Sequence, residues 1–456
     1  MEKMKPAICM NKKNIGYYLL LFILGVFFFF FLGENGYILE KDSYVYLEDN
    51  QWIKSYGYIV YPFIINTCKA VFAEQYLTTV FVIQGILAMF TSLAVTEYVR
   101  ISYRLTRKIG LFVFVLSFGP YAYTLPQYVA SHGIMTEGIT FPLFNLWMIC
   151  ALQIYRSERV RWCFLLFVIS TVMTLTRPQL LLLFVVNVVI ILDRYLRPYF
   201  VTKLKKSRFY VLNIIFSGLC VLFICIVLFG SFVKNAYYPQ LTDAVAGRVL
   251  CTIEEEDKEL YSGEMKQLFC IVYDAVDKQE GREQYFRNDI KRWEDICNAT
   301  NENTKLLGRL IVENLDVFDC PPEEVSSNKI KGAISYPLLI EHWDRYLLMT
   351  LELILQSLVV AIFIHPDWAY IWGYCGAVAL YILAISLLLV HKKYHCDVVY
   401  RFPMRIVLIV IASLCGFTNI IFMGLQRYVV YPFGWFYIAL VILYSNLIKK
   451  KSIKII

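Results

Sequence analysis

The sequence predicts an all-α integral membrane protein, with about ten membrane-spanning helices, one interfacial helix and a mostly helical domain outside the membrane. Three observations predict it. Of 456 residues, 59% are hydrophobic, 16% aromatic and only 18% charged, so a water-soluble fold would leave more apolar surface than its polar residues can cover. Apolar runs recur along the chain at the roughly 20-residue length that a hydrocarbon core about 30 Å thick demands. The formal net charge is +8, and the basic residues gather in short segments between those runs, as in cytoplasmic loops. That distribution excludes nucleic acid as a partner, and the lack of alternating strand-length segments excludes a β-barrel.

The first run, Ile15 to Leu32, follows Lys3, Lys5, Lys12 and Lys13 as a signal peptide would. No small-residue cleavage site follows it, so it reads as the first helix with its N-terminus cytoplasmic. The loop 34–76 is then external, and a second helix, Leu77 to Val95, returns to the basic group Arg100, Arg104, Arg107 and Lys108. Ile109 to Leu125 exits, and a fourth helix beginning near Gly138 returns to Arg156, Arg159 and Arg161. Trp162 to Leu192 is too long for one span, and Arg177-Pro178 interrupts it, because proline has no N–H to donate and crowds the preceding turn. Two short helices meeting on the external side are expected there. A basic loop from Arg194 to Arg208 and a seventh helix, Tyr210 to Val233, complete a transmembrane catalytic module, 1–233.

Residues 234–345 carry 14 Lys and Arg against 22 Asp and Glu, a net of −8 that leaves +16 for the rest of the chain. This is the expected external soluble domain, built of short helices such as Glu254 to Val276. Cys251, Cys270, Cys297 and Cys320 lie in it, where disulfides are permitted but connectivity is not legible; most of the other cysteines sit in apolar runs as small hydrophobes. The sequon Asn298-Ala299-Thr300 is read as a chance match. In the last segment, 346–456, Tyr346 to Ile364 is long enough to span, yet counting it would put His391, Lys392, Lys393, Arg401, Arg405 and the C-terminal lysines outside. Reading it as an interfacial or re-entrant helix restores the positive-inside rule for Ala369 to Val390, Ile406 to Met423 and Val429 to Ile448, with both termini cytoplasmic. No internal repeat is evident, which counts against transporters built from duplicated halves.

The first external loop draws the search for chemistry, because Asp42 stands just beyond a membrane helix, beside both water and the headgroup layer. A carboxylate there is placed to act as general base on a hydroxyl, or it is an ordinary solvated loop acid like Glu48 and Asp49. Glu137 opens the fourth helix at the external side, where it either faces a cavity or answers the helix dipole. Arg177 and Arg427 each interrupt or start an apolar run at the external boundary, positioned to fork onto phosphate oxygens or to snorkel to headgroups. Tyr44, Tyr46, Tyr56, Tyr58 and Tyr61 either stack on a sugar or form an aromatic belt. His132, His342 and His365 lack metal-ligand spacing, and no cofactor is expected; a divalent cation, if one binds, would use Asp42 and Glu137.

Four groups of residues together resemble the GT-C class of polyprenyl-phosphate-dependent membrane glycosyltransferases, in its protein-mannosyltransferase-like and Rgt-like branch. They are Asp42-Ser43 with Tyr46-Leu47 and the later Tyr61-Pro62, Thr136-Glu137-Gly138, Thr176-Arg177-Pro178, and Arg427-Tyr428 with Pro432. All four fall on the external side of the topology above. The resemblance implies an inverting transfer in which Asp42 deprotonates an acceptor hydroxyl that attacks the anomeric carbon of a polyprenyl-phosphate sugar, with polyprenyl phosphate leaving. It also implies substrate-binding roles for Glu137, Arg177, Arg427, Tyr428 and Tyr61, and a glycan, lipid or protein acceptor shaped by the external domain. The chain has no glycine-rich phosphate loop, in keeping with a membrane-soluble donor. The rival readings are a lipid-linked oligosaccharide flippase or polymerase, whose usual arginine-rich external loop is acidic here, and a solute transporter, which needs polar residues near mid-span.

Overall fold

A computed structural model describes residues 15–32, 36–39, 41–47, 59–123, 133–157, 159, 161–202, 215–219, 222–223, 239–278, 293–314, 327–363, 370–394, 396–421 and 426–455. These residues are predominantly helical, without a strand among them; one isolated parallel bridge joins Ile38 and Gly133. Four helical stretches are long and apolar enough to cross a membrane: Val60–Ser102, Glu137–Arg156, Trp372–Lys393 and Val398–Ile420. Shorter apolar helices occupy Ile15–Phe28, Arg161–Thr176 and Phe433–Lys449. These are the features of a membrane protein. Most of the seventh expected helix, Tyr210 to Val233, lies outside the described residues.

The chain divides into two compact units, the first formed by 1–220, 382–408 and 430–456, the second by 221–381 and 409–429. The first contains α1 (Ile15–Leu32), α2 (Lys41–Leu47), α3 (Val60–Phe72), α4 (Tyr76–Ser102), α5 (Arg107–Tyr123), α6 (Glu137–Arg156), α7 (Arg161–Thr176) and α8 (Leu182–Thr202). The interruption at Arg177-Pro178 is present: Arg177 is extended, at φ −152° and ψ 101°, and a 3-10 turn, Pro178–Leu181, leads into α8. A residue before proline is pushed out of the helical region, which fixes the break here. The second half of the loop 34–76 departs from expectation, because Val60 to Phe72 is helical. Tyr61, Ile65 and Cys68 recur at helical spacing and bury against Val80, Ile134 and Ile139.

α6 is the central helix of this unit, 72% of its most apolar stretch being buried, and it packs against α4 and α7. Its interior contacts are polar as well as apolar. Trp147 donates its indole N–H to Asn187 Oδ1 (2.9 Å) and Ser170 Oγ (3.1 Å), and Asn187 donates to the same Ser170 oxygen at 2.8 Å, so one network ties α6, α7 and α8. Trp435, on the helix Phe433–Ile455, donates to Asn145 Oδ1 at 2.9 Å. Between helices in lipid, where hydrophobic association supplies little, such bonds and close packing hold the bundle.

The second unit holds α9 (Pro239–Val249), α10 (Gly263–Asp277), α11 (Trp293–Glu313), α12 (Ser327–Glu341) and α13 (Trp343–Val360). Val249, Leu250, Leu268, Phe269, Leu307 and Ile334 are among the residues that form its apolar core. Around that core, Tyr261 donates its hydroxyl to the Ile334 carbonyl, and the His342 ring lies 2.9 Å from the Asp257 carboxylate, which also caps its own 3-10 turn through the Glu254 N–H. Cys251 is buried, its thiol on the Gly247 carbonyl at 3.4 Å, and Cys270 is exposed; the Cys297 and Cys320 side chains lie outside the described residues. α14 (Tyr370–Lys393) and α15 (Val398–Ile421) contribute to both units, α16 (Gln426–Val429) to the second, and α17 (Phe433–Ile455) to the first.

Gly434 sets the closest helix approach in the first unit, since a Cβ there would lie 2.2 Å from the Leu116 carbonyl oxygen of α5. Gly434→Ala is therefore expected to force α5 and α17 apart and to lower the thermal midpoint in detergent. Gly416→Ala, at a helical glycine with nothing within 4 Å, is expected to leave it unchanged or raise it slightly, the added stability being up to about 1 kcal/mol. Melting curves of the two purified variants check this pair.

Candidate functional site

The site grows from the first loop. α2 begins at Lys41 and carries Asp42 in its first turn, but the Asp42 side chain lies outside the described residues, as do Tyr56 and Tyr58. Ser43 is fully buried, and Tyr46 packs edge-on against Tyr61 with ring centroids 5.3 Å apart. Tyr61 donates to Gln84 Oε1 at 2.7 Å, and Gln84 Nε2 donates onward to the Gly133 carbonyl at 3.0 Å. One residue further, the Ile134 N–H donates to the Ile38 carbonyl at 3.0 Å. The first loop is thus joined to the segment leading into α6 through both backbone and side chains.

Gly138 belongs to the same joint. A Cβ there would lie 2.3 Å from the Gln84 amide, so glycine lets α6 seat directly on it. Next to it, Glu137 Oε1 pairs with Arg177 Nη1 at 2.5 Å, with side chains only 2% and 5% exposed. Thr136 donates its hydroxyl to Glu137 Oε2 (3.1 Å) and accepts from Arg177 (3.4 Å). The hairpin break that carries Arg177 is tied to the first loop as well, because the Ile59 N–H donates to the Leu175 carbonyl at 2.9 Å. Tyr431 closes the group: its hydroxyl lies 2.8 Å from Thr140 Oγ1, within electrostatic reach of Arg177 and Glu137, and its ring meets Phe141 edge-on.

The structure therefore brings together Glu137, Arg177 and the Tyr61 strut and joins the backbone of the Asp42 loop to them. Arg427 and Tyr428 belong to α16 of the second unit; Tyr428 is buried, and the Arg427 side chain lies outside the described residues. Sequence reasoning overlooked Gln84 and Tyr431. Gln84 had a signal, being an amide inside an otherwise apolar helix, where a polar group is costly unless it is bonded. Tyr431 had none beyond its place before the last helix.

Chemically, the arrangement offers a guanidinium locked in orientation by one carboxylate and one hydroxyl. Its contacts extend to Tyr431 as well, so the guanidinium is fixed from α6 and from the segment before the last helix. Glu137 is engaged by Arg177, and among the described residues no three His, Cys, Asp or Glu side chains gather as a metal site. His342 lies on Asp257, and His132 and His365 are outside the described residues.

Removing one partner of a buried pair strands the other charge, at a cost of about 3–5 kcal/mol. Arg177→Met and Glu137→Gln are each expected to lower the thermal midpoint in detergent, with Arg177→Met/Glu137→Gln recovering much of the loss. Melting of the three variants measures the coupling. Comparison with protein-family models, curated proteins and solved structures finds no match for this chain.

Proposed function

We propose that this protein is a membrane glycosyltransferase that moves a sugar from a polyprenyl-phosphate donor to an acceptor hydroxyl on the external face, with inversion and with Asp42 as the general base. One observation carries the reading: three motifs far apart in sequence, at Asp42-Ser43, Glu137 and Arg177, sit on segments that are hydrogen-bonded to one another. A base and a phosphate-binding cation must stand near one reacting centre, and a helix bundle has no general reason to join these three segments.

In this reading the protein crosses the membrane about ten times with both termini cytoplasmic, and the joined segments face outward. The acceptor hydroxyl loses its proton to Asp42 as its oxygen attacks the anomeric carbon, and the bond to the phosphate oxygen breaks on the opposite face of the sugar. Arg177, held by Glu137, receives the developing phosphate charge, while Arg427 and Tyr428 contact phosphate or headgroup. Tyr61, fixed by Gln84, supports the loop that carries the base. No cofactor is needed for this chemistry. The interior amides favour this reading over a transporter, because Asn145, Gln84 and Asn187 bond to neighbouring helices and segments.

Asp42→Asn keeps shape and removes the base, and loss of a general base costs about 10²–10⁴-fold in rate. At matched membrane abundance it is expected to reproduce a deletion: one envelope glycan residue missing and its lipid-linked donor accumulating. Glycan composition and lipid-linked sugar pools of both strains check this. Wild-type glycans in Asp42→Asn, with altered ones in the deletion, would move a flippase or polymerase ahead.

A further inference from the structure

α13 keeps a row of large apolar side chains on its outer side. Its outward stripe is Trp343, Leu347, Leu348, Leu351 and Leu355, all exposed, Leu348 to 70%. Its buried side mixes apolar and polar groups: Leu353, Val359 and Val360 are buried there beside Thr350, which accepts from Arg248 at 3.0 Å, Gln356, which donates to Glu352 at 3.1 Å, and Ser357, which accepts from Asn419 at 2.8 Å. A helix resting on a water-exposed surface carries charged and polar residues on its outer side, not a row of leucines.

Two further observations say what covers the stripe. The Leu358 carbonyl, at the far end of α13, accepts from the Tyr381 hydroxyl at 2.8 Å, and Tyr381 stands midway along the membrane-length helix Trp372–Lys393. Along that helix Trp372 and Val378 are exposed in the same way, so the end of α13 is bonded to a helix whose apolar exposed side chains lipid must solvate. At the opposite end, Asp344 and Arg345 are exposed in the first turn beside Trp343, the arrangement of charges and an aromatic ring at a headgroup layer. Asp344, Arg345 and Glu352 account for its absence from the helices apolar enough to cross alone.

We infer that α13 is seated in the bilayer, with Trp343 at the headgroups and the leucine stripe descending against acyl chains toward Leu355. The external core then rests on a lipid-embedded helix, because Arg248 and Tyr346 link α9 to it. The inference is independent of the catalytic proposal.

The test uses the full chain in its native membrane, with a benzophenone amino acid replacing Leu348, Leu351 or Leu355 in turn and Glu341 as a control. Illumination is expected to give phospholipid adducts at the three leucine positions and none at Glu341. Polypeptide adducts at the leucines, from a second copy or another protein, or no lipid adduct there, would overturn it. Since a bulky replacement can impair folding, a second measurement uses Trp343→Phe in nanodiscs. The difference between wild-type and variant tryptophan emission is expected to be quenched by brominated acyl chains and spared by aqueous iodide, and quenching by iodide alone would refute the placement.

Discussion

Charge that enters an apolar helix bundle has to be neutralised where it sits, and the first unit meets that condition with the Glu137–Arg177 pair. The pair joins the first turn of α6 to the break between α7 and α8. Thr136 bridges the two side chains, so neither end can turn without breaking a bond in low dielectric. Gly138 and Gln84 then bring α4 against the same turn, and Gln84 passes the constraint to Tyr61 and Gly133. The position of the first loop follows from this chain of contacts.

The same rule governs the rest of the described structure on a smaller scale. Asn145, Asn187, Ser170 and Trp147 are polar groups inside a bundle, and each bonds across a helix boundary. In the second unit Thr350 and Ser357 do so on the inner side of α13.

The helical class and the break after α7 were legible because their determinants are local. The proline after Arg177 dictates a break in any environment, and runs such as Ile15 to Leu32 have no alternative to helix in lipid. The helix Val60–Phe72 was hidden by its brevity and by Asn66, Thr67 and Lys69, whose polarity suits a loop as well as the outer side of a short helix. For the site, Glu137 and Arg177 were each visible as charges at apolar boundaries, but their pairing is a tertiary fact that no spacing encodes. Gln84 and Tyr431 act through neighbours remote in sequence, which is why single-chain reading passed over them.

The central claim is that the first loop, which carries Asp42, is joined to the segment leading into α6, whose first residue is Glu137. Disulfide trapping between Ile38→Cys and Gly133→Cys tests it most directly, since these two residues form the parallel bridge that joins the segments. In isolated membranes under mild oxidation the account predicts an intramolecular cross-link in the double variant, absent from either single variant. A double variant that remains reduced, while both thiols stay reactive to a small maleimide, would contradict it.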